Sequence, residues 1–463
     1  MPALSVGDLL KATGGTLLSG DPSLPVRSYS IDTRRLSAGA AFFALPGSRV
    51  DGHAFVGEAA RAGALLAIVA QAPTGGGPFP AAMIQVDDVA ASLARCGAYA
   101  RQKIRGKVVA LTGSAGKTTT KELVAAGLGA SFKVHRTTGN LNNELGVPLS
   151  LLSCPEDAEA AVFEMGMNGP GQIAFLARLV NPDVGLVTNV LPAHLEFFDS
   201  VDGIAAAKGE LFAVLRDDAV SVVNLVDELV RVQAARHAGP RVTFGLQDQA
   251  DLRLLSITDQ FVPGAGLTFR HAGRAYSVTL KMGGAHAARD AFAAAAIIVA
   301  CGAPLAPALE RMEGVEPAAG RGRLTRLPGD VVVVDDTYNS NPEALASVLR
   351  TLGASTPPGR RIVVMGDMLE LGPAGASFHE QAGELAARSG VDLLVGVGTL
   401  SRHAVDAARR AGIEAQATSD TAQACQVVPG LVRPGDLVVV KGSRGVRLEA
   451  VVDALTARRS GAV

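Results

Sequence analysis

Short Val/Ile-rich runs alternate along this chain with longer Ala/Leu-rich stretches in which apolar residues recur at helical spacing. The apolar runs Ala64–Ala70, Lys107–Leu111, Ala160–Glu164, Asp183–Asn189, Val331–Val334, Ile362–Met365, Leu393–Val397 and Leu437–Val440 read as strands. Between them, Val89–Gln102, Thr119–Gly129, Ile204–Glu210 and Pro342–Leu352 read as helices, with Pro342 suited to a first helical position. Strands alternating with helices predict an α/β protein. Over the last third the spacing is that of a doubly wound parallel sheet, which binds ligands beyond the carboxyl ends of its strands. Asp335, Asp336, Asp367, Lys441, Ser443 and Arg444 fall at such ends.

The length of 463 residues allows two to four domains. The pattern breaks into three zones: 1–105, 106–325 and 326–463. The second opens with a strand running into a Gly-rich turn, and the third follows the Gly-, Pro- and Arg-rich loop Glu316–Arg323. The longest uncharged run, Ala291–Leu309, is interrupted by Gly302, Pro304 and Pro307, so a buried helix ending near Ala300 is expected rather than a membrane span. The first fifteen residues contain Asp8 and Lys11 and lack the apolar stretch of a signal peptide. A cytoplasmic protein is expected. Lys plus Arg number 43 and Asp plus Glu 44, a net charge of −1, which gives no electrostatic reason to expect a nucleic-acid partner. The four cysteines, Cys96, Cys154, Cys301 and Cys425, form no C-x-x-C pair, so neither a disulfide framework nor a cysteine zinc site is expected.

The strongest local signal is Gly113-Ser114-Ala115-Gly116-Lys117-Thr118-Thr119, placed between a strand and a helix. That is the setting of a phosphate loop. Glycines let backbone N–H groups close around phosphate oxygens, and the helix N-terminus adds partial positive charge. Lys117 is expected on the β/γ-phosphates of a nucleotide and the Thr118 hydroxyl on Mg²⁺. The standard pattern has a glycine five residues before Gly116, where this chain has Leu111. No N-K-x-D guanine motif is present, which argues against a GTPase switch. Downstream, Glu164 ends an apolar strand and is a candidate Mg²⁺ carboxylate. His194 follows the next strand, and Lys208 sits in a helical stretch. Taken singly, such a histidine is more often structural and such a lysine is usually a solvated charge.

In this order the motifs resemble those of the Mur ligase family, ATP-dependent enzymes that form amide bonds in peptidoglycan precursor synthesis. The family's phosphate loop has the shortened G-x-x-G-K-T-T form. The strings Thr138-Gly139-Asn140-Leu141-Asn142-Asn143, Glu164-Met165-Gly166, Ala193-His194-Leu195-Glu196 and Ala207-Lys208-Gly209-Glu210 match its motifs. Within the family, Asp335-Asp336-Thr337-Tyr338-Asn339-Ser340-Asn341-Pro342 looks like the signature of the MurF type, which joins D-alanyl-D-alanine to UDP-N-acetylmuramoyl-tripeptide. The His-Thr-Pro and D-N-P-R strings of members that add a single amino acid are missing.

The resemblance implies three domains: an N-terminal α/β domain that binds UDP, a central phosphate-loop ATPase-like domain and a C-terminal Rossmann-like domain. It implies ATP and two Mg²⁺ ions, one on Thr118 and Glu164, the other with His194 and a Lys208 carbamylated by CO₂. Substrate contacts are expected from Ser30, Thr33 and Arg34 toward UDP, from Asn140, Asn142 and Asn143, and from Lys441, Ser443 and Arg444. ATP contacts are expected from His286, Asp290, Arg321, Tyr338 and Asn339, with Asp335 or Asp336 on the ribose. The family's adenine segment reads H-N-x-x-N, whereas this chain has Ala287 and Asp290 in place of the asparagines. Asp290 accepts hydrogen bonds but, when ionised, donates none. A monomer is expected. The rival readings are a sibling ligase that adds one amino acid, such as the MurE type, and a phosphate-loop switch without ligase chemistry.

Overall fold

The computed structural model describes residues 4–47, 50–73, 77–192, 198, 200–262 and 264–460. Three sheets follow one another along the chain. The first joins β1 (Thr16–Ser19), β2 (Ser28–Ser30), β3 (Ala40–Phe43), β4 (Leu66–Val69) and β5 (Ala82–Gln85) in the order 1-5-4-3-2, with only β1 antiparallel. The second holds nine strands: β6 (Lys107–Thr112), β7 (Val134–Arg136), β8 (Ala160–Glu164), β9 (Val184–Val187), β10 (Val220–Asn224), β11 (Arg241–Gly245), β12 (Leu252–Thr258), β13 (Gly266–His271) and β14 (Arg274–Thr279). Their order is 14-13-12-11-10-9-6-8-7. The third sheet, β15 (Arg323–Leu327), β16 (Val331–Asp336), β17 (Arg361–Gly366), β18 (Leu393–Val397), β19 (Glu414–Thr418) and β20 (Leu437–Lys441), runs 15-16-20-17-18-19. It is parallel except for β15, which pairs antiparallel with β16.

The continuous apolar runs form strands buried on both faces, as parallel sheets require. Lys107–Thr112 is buried from its second residue, and Leu393–Val397 throughout. The third sheet begins at Arg323, ahead of the boundary expected at 326, because β15 closes back on β16. The segment β12–β14 was not legible as strands: its side chains alternate only loosely between buried and exposed. The pairing of β12, β13 and β14 as an antiparallel meander fixes it.

Two helices of the central domain set the site. Lys117–Leu128 starts directly after the phosphate loop, and Ala285–Ala300 packs along it. The alanines of the second helix from Ala287 to Ala296 are all buried, which brings the two helices close: a Cβ on Gly127 would come 2.5 Å from Ile298 Cδ1. This is the uncharged run read above as a buried helix, and it ends at Ala300 as expected. Among the described residues no helix is long and apolar enough to cross a membrane.

The three domains share packing. Leu149 and Leu152 of the central domain join the core of the first. Phe261, in the loop after β12, is buried among Leu345, Val348 and Met365 of the third. Thr351 Oγ1 donates to Asp259 Oδ1 at 2.6 Å across the same joint. These contacts align the strand ends of the second and third sheets around one cleft. All four cysteines are free, and three are buried, as small core residues would be.

Candidate active site

A cleft of about 1040 Å³ lies between the central and C-terminal domains. The loop Ser114–Thr119 and the strand-end residue Glu164 form its floor, and Asp336, Tyr338, Asn339 and Lys441 its opposite wall. Sequence positions more than 300 residues apart thus face one another.

The loop's backbone needs its glycines. Gly113 has φ 151° and Gly116 φ 79°; an added Cβ would come 1.8 Å from Thr188 Oγ1 at the first and 2.1 Å from Asp290 Oδ1 at the second. Neighbouring strand ends hold the loop open. Ala115 N–H donates to Asn189 Oδ1 at 2.9 Å, while Thr188 Oγ1 and Asn189 Nδ2 donate to Ala115 O. Asn224 Nδ2 in turn donates to Thr188 O. Thr188, Asn189 and Asn224 were missed in the sequence. For Thr188 and Asn189 the signal was the polar end of the run Asp183–Asn189 beside a phosphate loop; Asn224 ends the separate strand Val220–Asn224. Gly116→Ala is expected to weaken ADP binding at least tenfold, because strain at positive φ and the Asp290 contact both displace the loop. Calorimetric titration checks this, and unchanged affinity would remove the tight-cradle reading.

The charged groups follow. Lys117 Nζ donates to Gly113 O at 2.7 Å and to Ser114 O at 3.4 Å. Burial lowers its pKa, Glu164 and Asp290 oppose the shift, and Arg321 adds to it. Thr118 Oγ1 donates to Glu164 Oε2 at 2.9 Å, and Asn142 Nδ2 donates to Glu164 Oε1 at 2.9 Å. A hydroxyl and a carboxylate together at the mouth of a phosphate loop are the oxygen ligands Mg²⁺ takes, so the donor set fits that ion. Among the described residues, no cluster of three or more His, Cys, Asp or Glu forms a ready-made metal cage.

Lys208 is only 2% exposed and lines the same cleft. It has no hydrogen bond or ion pair among the described residues. Burial, with the Lys117 charge nearby, drives its pKa well below that of an ordinary lysine. Glu210, two residues on, accepts from Gly171 N and Ala174 N and so ties this helix (Val201–Val214) to the preceding one (Gln172–Val180). The string Ala193–Glu196, with the candidate ligand His194, lies outside the described residues.

His286 and Asp290 project from the helix Ala285–Ala300 into the cleft. His286 Nδ1 is buried without a partner, and burial lowers the ring's pKa. Burial pushes the Asp290 carboxyl well above the usual range, against the pull of Arg321, Arg289 and Lys117. Beyond Asp290 the cleft turns apolar, lined by Phe244, Leu254, Ile257 and Phe292. Arg321 stacks its guanidinium over the Tyr338 ring at 4.0 Å.

Several expected site residues are placed elsewhere. Asp335 does not reach the cleft: its carboxylate accepts from Gly320 N, Thr337 N and Thr337 Oγ1, which leaves Asp336 as the acid on the wall. Lys441 reaches the cleft, but its ammonium donates to Asp336 Oδ2 at 2.7 Å and Asn339 O at 2.9 Å. Ser443 is buried behind the wall, linking Leu369 N to Ser340 O. Arg444 lies outside the cleft, 5.8 Å from the Tyr338 ring and 3.4 Å from Glu449 Oε1. Asn140 and Asn143 line the cleft near Asn142. In the first domain Ser30 Oγ closes a turn with Asp32, and Thr33 Oγ1 donates to Glu58. Arg34 forms a two-point pair with Asp32 that holds the Asp32 carboxyl down at about 2.

Comparison with known proteins agrees with this layout. Models of the Mur ligase family catalytic domain, the Mur ligase middle domain and the Mur ligase glutamate ligase domain match residues 25–101, 111–298 and 320–444. The chain belongs to the Mur ligase family. Its relatives include the UDP-N-acetylmuramoyl-tripeptide–D-alanyl-D-alanine ligases of Synechocystis sp., 36% identical over 97% of this chain and 95% of the relative, and of Escherichia coli, 32% identical over 98% and 99%. Among solved structures, MurF from Acinetobacter baumannii superposes with a TM-score of 0.88 at 30% identity, covering 99% of both chains. MurF from Thermotoga maritima in complex with ADP gives 0.79 at 28% identity, covering 95% of this chain and 99% of that one. Within the family the chain groups with the MurF type.

Proposed function

We propose that this chain is an ATP-dependent ligase that joins D-alanyl-D-alanine to UDP-N-acetylmuramoyl-tripeptide in the cytoplasm. One observation carries the reading: a buried lysine, Lys208, with no partner among the described residues, shares a two-domain cleft with the Lys117, Thr118 and Glu164 set. A nucleotide switch has no use for Lys208, whereas an enzyme joining two anions needs charge placed beside the reacting groups.

The chemistry is two displacements. A carboxylate oxygen of the tripeptide attacks the γ-phosphorus of ATP, the bond to the bridging oxygen breaks, and ADP leaves. The amine of D-alanyl-D-alanine then attacks the acyl carbon, the bond to the phosphate oxygen breaks, and phosphate leaves with net loss of one proton from the ammonium. The obstacle in the first step is repulsion between carboxylate and phosphates. Lys117 and the loop N–H groups stabilise the charge that builds on the transferred group. Thr118 and Glu164 would hold a Mg²⁺ ion, whose role is to neutralise phosphate charge. Burial lowers the Lys208 pKa and so favours its neutral amine, the form that reacts with CO₂; that reaction releases one proton and would turn the neutral amine into a carbamate anion suited to a second Mg²⁺. The packed joint at Phe261 and Thr351 keeps the two walls facing across the cleft. The first domain is the seat for the UDP end; Ser30, Thr33 and Arg34 lie there but are held by Asp32 and Glu58, so they would have to exchange those partners to touch it. A single chain carries both walls and is taken as the working unit.

The test is phosphate release with ATP, Mg²⁺ and UDP-N-acetylmuramoyl-tripeptide, on adding D-alanyl-D-alanine or single amino acids. Release that depends on D-alanyl-D-alanine is expected. Release driven by single amino acids would move the chain to the MurE type, and release needing neither would leave a plain NTPase.

A further inference from the structure

The helix Lys117–Leu128 carries a second lysine one turn beyond Lys117. Lys121 is completely buried, and its ammonium has no hydrogen-bond partner among the described residues. Two carboxylates face it: Glu122 Oε1 at 3.2 Å and Glu164 Oε2 at 3.7 Å. Glu122 is shared with Arg136, whose Nε donates to the other oxygen at 2.6 Å. Glu164 is itself buried, with both oxygens already accepting from Thr118 and Asn142. An ammonium stripped of water without replacement hydrogen bonds is tolerated only where opposite charge surrounds it. Neither the phosphate cradle nor the two displacements above give Lys121 a task.

We propose that Lys121 is a positioning residue that closes Glu164 into an ion pair, so that the site accepts a divalent cation together with nucleotide phosphates and rejects it alone. The proposal rests on the reading of Glu164 as the metal carboxylate. Glu164 and Glu122 bring two negative charges, and Lys121 together with Arg136, which pairs with Glu122, matches them. A bare divalent cation would add two positive charges to a pocket that already holds Lys117 and Lys121. Phosphate groups entering with the cation reverse that balance. Lys121 therefore couples cation binding to nucleotide binding, and the coupling acts equally in both directions. It also adds a contact at Glu164 Oε2, the oxygen that accepts from Thr118, while Asn142 holds Oε1.

The experiment is Mn²⁺ titration, read by the paramagnetic resonance signal of free Mn²⁺, of the full chain with and without ADP. Lys121→Met keeps the length and apolar stem of the side chain and removes the charge. Lys121→Arg keeps the charge, and Lys121→Gln replaces the Met variant if that one fails to fold. Lys121→Met is expected to bind Mn²⁺ alone at least tenfold tighter than the unsubstituted chain, with a correspondingly smaller gain on adding ADP. Lys121→Arg is expected to behave as the unsubstituted chain. Equal or weaker binding of Mn²⁺ alone by a folded Lys121→Met or Lys121→Gln chain overturns the proposal. Glu164→Gln separates the two levels: if it leaves Mn²⁺ affinity in the presence of ADP unchanged, the reading of Glu164 fails, whatever Lys121 does.

Discussion

Replacing Lys117 with alanine is expected to lower turnover by about 10²–10³-fold, the equivalent of about 2.7–4 kcal/mol in transition-state stabilisation. The ammonium donates to the loop carbonyls of Gly113 and Ser114, at the N-terminal end of the helix Lys117–Leu128. Charge builds on the transferred phosphoryl group in the transition state more than in bound ATP. A cation fixed there therefore acts on the rate constant more than on nucleotide affinity. ADP affinity is expected to fall by a smaller factor than kcat, since the loop N–H groups and the helix N-terminus remain. Single-turnover phosphate release alongside ADP titration separates the two. Near-normal turnover in the alanine variant would take Lys117 out of the phosphate role.

The second large effect is at Lys208, and there activity and stability are expected to move in opposite directions. Lys208→Met should reduce turnover at least about 10²-fold, by analogy with loss of a preorganised electrostatic group. The same change should stabilise the fold in CO₂-free buffer at neutral pH. The sign follows from linkage. In the folded chain the Lys208 pKa lies well below its ordinary value of 10.5, so over that interval the unfolded chain binds more protons. Stability therefore rises with pH through the interval up to about 10.5, and the penalty of the buried amine is greatest at its lower end. Methionine fills similar space without a titrating group. Thermal unfolding of both forms between pH 7 and 10 should show the variant melting higher at pH 7, with the gap closing as pH rises. A variant that melts lower at pH 7 would mean that Lys208 is held by interactions its surroundings do not display. A stable variant with undiminished turnover would remove Lys208 from the chemistry.

Some residues resisted sequence reading because their neighbours come from far along the chain. Asp335 and Asp336 are adjacent at a strand end and looked equivalent. Alternation along β16 sends them to opposite sides, so Asp335 braces the Gly320 turn and Asp336 meets Lys441 on the cleft wall. Arg34 has the side chain for a diphosphate, yet its guanidinium pairs with Asp32 two residues away. Lys121 follows Lys117 by four residues and reads in isolation as a helix surface charge. Only the packing of that helix against β8 and the helix Ala285–Ala300 puts it inside, against Glu164.

By itself the sequence determined what is local. Unbroken apolar runs specify strands buried on both faces, and alanine-rich runs specify helices that pack closely. Glycines at 113 and 116 specify a backbone turn that side chains would obstruct. Those properties depend on a residue and its near neighbours, and they were legible with the order of the chemistry-bearing strings. Tertiary structure alone decided which charges face one another. The cleft joins Glu164 to Thr118 and Asn142, leaves Lys208 without a counter-ion among the described residues, and pairs Lys441 with Asp336 across 105 residues. The physical reason is that a side chain's charge state and partner are set by burial and by distances of a few ångströms. Sheet order and domain packing fix those distances, and both join segments that the linear chain keeps far apart.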